Sequence, residues 1–338
     1  MQYYYLVAGL TEYPFDIDNA VSGGLRVDVP QVKAQIMNEL TPGDRRAVEL
    51  LYTYYDIENI MGYVQGSRLP FNELGNLSRE EVALLVDRTG SSSDGDAATW
   101  LPEELAERLE RLAVPRTVRL AVDRFRGRTG EDGNAGIPQP DEFAPLSADD
   151  LERELFQSFY RACGAFSASN GGGGGFSLGG LWPGNLTVPE YLRTWAGYDR
   201  TVRNIVAAYK ARQLGLSAER KEGMIVETDV ELRDAYVNGQ AQDFGMRDRF
   251  PYTEELLQVL ETEDFVERER KMDELRVRMA DDLAEHDYFG IGRVMDYLIR
   301  LNILHRWGRL DAERGRENFR EMVSALADPE KIAESSVG

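Results

Sequence analysis

Residues 187–215, TVPEYLRTWAGYDRTVRNIVAAYKARQLG, limit the fold most, because they read as one long helix marked at both ends. Thr187 is a candidate N-cap, Pro189 stands in the first turn, and Glu190 is placed to close a capping box. Gly215 supplies a left-handed stop, and Lys210 and Arg212 suit the negative end of the helix dipole. Tyr191, Trp195, Tyr198, Val202, Ile205 and Tyr209 recur at helical spacing and make one apolar stripe. On the opposite face Asn204 sits among Ala207, Ala208 and Ala211, small residues that admit a second helix at close range. The spacing therefore predicts a helix sandwiched between neighbours on two sides.

Similar signals recur along the chain. Tyr3 to Leu10 is a short apolar run that fits either a buried strand or the start of a buried helix, and periodicity does not separate the two. Residues 11–28 are polar and read as loop, and Val29 to Leu40 as a short helix led in by Pro30. Thr41-Pro42-Gly43-Asp44 opens a longer helix with Val48, Leu51, Tyr55, Asn59 and Gly62 near one line. Asn59 is thus expected on the packed side, hydrogen-bonded to backbone or to another helix, and fixing register rather than holding a ligand. Ser78 opens a further helix with a capping-box signal, Leu101 to Glu104 another, and Ser147 a third striped by Leu151, Leu155, Phe159 and Ala162. Leu105, Leu109, Leu112, Val118 and Val122 continue the second at helical spacing. Residues 90–97 and 127–145 read as polar surface excursions. Asp229 to Tyr236 and Ile291 to Trp307 read as helical, Tyr252 to Glu285 as one long charged helix, and Asp311 to Leu326 as a closing helix. This divides the chain into an N-terminal helical region (1–126), a helix between Gly/Pro-rich inserts (127–186) and a C-terminal helical region (187–338).

Charge and composition narrow the function. The formal net charge of −20 argues against direct binding to a nucleic-acid backbone or an anionic membrane. The single cysteine, Cys163, has no internal disulfide partner, which fits a cytoplasmic chain. No early apolar run reaches the roughly 20 residues a membrane span needs, and no signal peptide is expected. His286 and His305 stand in no metal-binding motif, no Gly-x-Ser-x-Gly elbow occurs, and Cys163 has no neighbouring histidine. The glycine run at 171–175 lacks the Gly-Lys-Ser/Thr ending of a phosphate loop and reads as low-complexity loop. Neither metal, cofactor nor catalytic constellation is expected, and an enzyme is the least favoured reading.

Six blocks, in order, carry a resemblance: YYYLVAGL (3–10), YYDIENIM (54–61), YDRTVRNIVAAYKARQLGL (198–216), DFGMRDRFPY (243–252), ERERKMDELR (267–276) and YFGIGRVMDYLIRLNILHRWGRLD (288–311). Together they resemble a family encoded within bacterial V-type (A/V-type) ATPase operons. Through Asp56 and Asn59, and through Tyr198, Asp199 and Asn204, the chain is more distantly similar to the C subunit of V-type ATPases, called d in eukaryotes. The resemblance implies an all-α, funnel-like multi-helix array, from which the flexible Gly-rich inserts at 127–146 and 167–186 depart. It also implies a non-catalytic role, coupling the central stalk to the membrane rotor ring from the cytoplasmic side, with Asp56, Asn59, Asp199 and Asn204 as structural polar positions and the two Asn-bearing helices as related units. A stand-alone helical adaptor or assembly factor for the same complex is the alternative.

Overall fold

The computed structural model describes residues 2–67, 70–87, 104–105, 108–109, 116–125, 146–164 and 188–310. Among them are thirteen α-helices and no strand, so the fold is all-α. The open choice at the N-terminus resolves as helix, α1 (Tyr4–Gly9), but not as a buried one: none of its residues is buried, and Tyr4 and Tyr5 are exposed. Residues 11–28, expected as loop, contain α2 (Ile17–Val21): Asp16 accepts the amide of Asn19, and Ile17 and Ala20 pack on Leu304 and Trp307. A helix this short has no sequence period; its cap and its tertiary contacts hold it.

The next helices follow their caps. Asp28 caps α3 (Val29–Glu39), Thr41 caps α4 (Pro42–Val64), and Ser78 with Glu81 closes a complete capping box on α5 (Arg79–Val86). Then come α6 (Arg116–Phe125) and α7 (Ala148–Ala162), the latter capped by Ser147 and burying Leu151, Leu155, Phe159 and Ala162 as its stripe requires. Leu105, Leu109, Val118 and Val122 are buried. The expected helix start at 101–103, Leu112, the surface excursions, the glycine run and the closing helix at 311–326 lie outside the described residues.

The stretch read first is α8 (Glu190–Gln213). It begins with Pro189 at the N-cap position and no side-chain cap; Thr187 lies outside the described residues. Its C-terminus is as expected, with Gly215 at φ +62° and the Leu216 amide reaching back to the Ala211 carbonyl. Both faces are occupied. Tyr191, Trp195, Val202 and Ile205 are buried on one side, and Asn204, Ala208 and Ala211 on the other.

Beyond it lie α9 (Ala218–Met224), α10 (Val230–Val237), α11 (Thr253–Leu260), α12 (Phe265–Ala284) and α13 (Ile291–Gly308). The single charged helix expected over 252–285 is two. The chain leaves α11 at Glu261, and Asp264 caps α12 by accepting the Glu267 amide. Val266, expected in the apolar set, is consequently exposed. α12 and α13 pair as a hairpin, and α8 touches α7, α9, α10, α12 and α13. One continuous apolar core, from Tyr3 to Leu301, draws on residues of all three sequence regions. No described helix is long and apolar enough to cross a membrane.

Candidate functional site: a charged central cavity

α4 presents Leu51, Tyr55, Asn59 and Gly62 along one line, and that line faces a cavity of about 910 Å³. The remaining walls come from α7 (Phe156, Phe159), α8 (Trp195, Asp199, Arg203), α12 (Asp273, Arg276) and α13 (Ile299, Asn302, Arg306). Residues 70–74 form part of its rim.

That rim is held by side chains from α4. Asn59 clasps one residue with both ends of its amide: its Nδ2 donates to the Asn72 carbonyl at 2.9 Å, and its Oδ1 accepts the Asn72 amide at 2.8 Å. One turn earlier, the buried Asp56 accepts the amides of Asn76 (2.6 Å) and Leu77 (2.9 Å) and the Asn76 side-chain amide (2.8 Å). Burial still prevails over those donors and raises the Asp56 carboxyl to about 6. Lys33 donates to the Leu74 carbonyl at 2.7 Å and lies 3.8 Å over the Tyr52 ring; burial lowers it to about 8. Gly75 permits this close approach. A Cβ there would lie 2.6 Å from Asp56 Oδ1 and 3.1 Å from Asn59 Nδ2.

α8 repeats the device on a second segment. Asn204 Nδ2 donates to the Val226 carbonyl at 3.2 Å, and its Oδ1 accepts the Val226 amide at 2.8 Å. One turn before, the buried Arg200 meets Glu227 at 3.1 Å, and Glu227 also accepts the amides of Thr228 and Asp229. Asp199 does different work: it accepts the Tyr160 hydroxyl at 2.7 Å and lines the cavity. Of the polar positions read from sequence, Asn59 and Asp199 meet at the cavity; Asp56 and Asn204 fasten loops outside its lining.

The cavity's chemistry comes from residues the sequence did not single out. Glu58 is solvent-exposed where it lines the cavity, with enough protein around it to desolvate its carboxyl in part. Burial raises its carboxyl to about 7, although Arg306, Arg276 and a hydrogen bond from Asn72 pull the other way. Asp273, fully buried, gathers Arg276 (3.2 Å), Arg306 and the Trp307 indole N–H (2.6 Å). Arg203 pairs with Glu152 and lies 3.7 Å over the Phe156 ring. Arg79 and Arg309 stand at the rim side, beside Phe71. Five arginines thus line one cavity of a strongly acidic chain. Because these groups come from segments some 200 residues apart, only the α4 line was legible beforehand, through the periodicity that placed Asn59 inward.

His305 also lines the cavity, and burial lowers its imidazole below the usual value. Among the described residues no cluster of three metal-ligating side chains occurs. Cys163 is buried, which pushes its thiol up.

No curated protein and no solved structure matches the chain. One family does, over residues 1–112 and 187–329, and these residues supply α4, α8, α12 and α13 with most of the cavity. The chain belongs to this family, which is described as protein of unknown function DUF2764.

Proposed function

We propose that this protein is a non-catalytic component of the central stalk of a bacterial V-type ATPase, coupling the stalk to the membrane rotor ring. The observation that carries this reading is the pair of equivalent clasps. α4 and α8, both long helices, each use a buried asparagine to hold the peptide group of a later segment. Related helical units are what the resemblance to the C subunit implies, and Asn59 and Asn204 both lie in sequence blocks that carry the resemblance. Such an array transmits force through packed helices, and the continuous core joining α4, α8, α12 and α13 suits that task. On this reading the protein carries no catalytic site of its own. It works on the cytoplasmic face, peripheral to the inner membrane, through contacts with protein.

Its partners are stalk subunits and ring loops that offer basic or apolar surface, because a chain of charge −20 is repelled by anionic headgroups. The test is capture of the ATPase from membranes of the native cell with this protein as bait, at low and high salt. Recovery of stalk and ring subunits is expected, with weaker recovery at high salt where charged faces dominate the contact. Failure at both salts contradicts the reading and leaves the stand-alone adaptor in its place.

A further inference from the structure

The central cavity has a chemistry that force transmission does not need. Its walls carry Arg203, Arg276 and Arg306, each from a different helix, beside aromatic surface from Tyr54, Phe156 and Trp195. A guanidinium has five N–H donors in a planar fork. Arg203 bonds Glu152, Arg276 bonds Asp273, and Arg306 meets both Asp273 and Glu269, which still leaves N–H donors on each fork for another acceptor. Asp273 lines the same space but is buried at 1 % exposure, its carboxylate turned to Arg276, Arg306 and the Trp307 indole.

We propose that the cavity binds a small organic oxyanion, its carboxylate or phosphate on Arg276, Arg306 and Arg203 and its apolar or aromatic body against Tyr54, Phe156 and Trp195. Glu58 is the group that regulates entry. As a carboxylate it repels the ligand; once protonated, it becomes a hydrogen-bond donor to it. The charged and titratable groups that share the space with it are Arg276 and Asp273 from α12, His305, Arg306 and the following Arg309 at α13, Asp199 and Arg203 from α8, Glu152 from α7, Arg79 from α5, and Tyr54 and Tyr55 from its own helix; burial holds the His305 imidazole below its usual value, and Glu58→Gln separates the carboxyl from it. Asp199 is occupied by the Tyr160 hydroxyl. Glu58 therefore carries the change between an anion-rejecting and an anion-accepting cavity. This inference does not depend on the ATPase reading, and its test uses the isolated full chain.

Three probes share one ring and differ in head group: benzoate, phenyl phosphate and benzylamine. Ligand-observed NMR titrations of the full chain are run at about pH 6 and about pH 8. Benzoate or phenyl phosphate is expected to bind with a Kd below about 10 mM, in keeping with its size, and more weakly at the higher pH. Which of the two binds more tightly identifies the head group. Glu58→Gln should tighten binding and remove most of the pH dependence. Arg306→Gln, at a half-exposed side chain that leaves Asp273 with Arg276 and Trp307, should weaken it by about tenfold. Circular dichroism of both variants shows whether the fold is kept, and Glu58→Gln decides the matter if Arg306→Gln unfolds. The proposal is overturned if neither anion binds, if anion binding ignores Glu58→Gln, or if benzylamine is the probe that binds and loses affinity in Glu58→Gln.

Discussion

Asn59 and Asn204 each satisfy both a donor and an acceptor of one peptide group, part-buried at Asn72 and buried at Val226, so truncation removes the partner of two backbone atoms at once. Asn→Ala at either position is expected to cost about 1–3 kcal/mol, read as a lower urea midpoint at unchanged slope. Unchanged midpoints in both variants would show that water replaces the clasp freely. Gly75→Ala tests the same rim from the other side. Its new methyl would press on Asp56 Oδ1, which three donors hold in place, so the loop has to retreat. A loss of about 1–3 kcal/mol is expected, and a neutral result would mean the rim yields without strain.

Glu58 gives a signed pH dependence. Its folded value of about 7 lies above the ordinary 4.5, so the folded protein holds a proton that the unfolded chain has lost. That contribution is fully present below about 4.5 and is lost as pH rises through about 7. Glu58→Gln should therefore show its largest stability gain over the parent at about pH 8 and little at about pH 4, measured by urea unfolding. A gain that does not change with pH would place the carboxylate in open solvent. Asp56, raised to about 6, moves stability in the same sense over a lower window, whereas Lys33, lowered to about 8, acts oppositely at alkaline pH.

Among the elements, legibility followed length and capping. α4 and α7 were readable because Thr41 and Ser147 mark their starts and their stripes run for several turns. The end of α8 was readable because Gly215 adopts the left-handed turn that only a residue without Cβ enters freely. α2 was not, since five residues carry no period. The break between α11 and α12 was hidden because Leu260, Met272 and Leu275 keep an apolar rhythm across Asp264, whose cap begins a new helix. Asp264→Ala removes that cap and is expected to cost about 1 kcal/mol, with amide exchange increased in the first turn of α12. Unaltered protection there would mean packing alone starts the helix.

At the scale of the whole molecule, the all-α class was visible in the caps and stripes, whereas the cavity was not. Its charges meet only through tertiary pairing, as when the Tyr52 hydroxyl reaches Asn302 on α13 at 3.1 Å. No local pattern records that Glu58 will share a space with Arg276 and Arg306. The chain as a whole is strongly acidic, yet five arginines line the cavity. Membership of the ATPase rotor is read from the stoichiometry of the complex. ATPase purified intact from native membranes is quantified subunit by subunit by mass spectrometry. This chain is expected in equal amount to the central-stalk subunits and retained through purification; an active complex with only traces of it would rule the rotor role out.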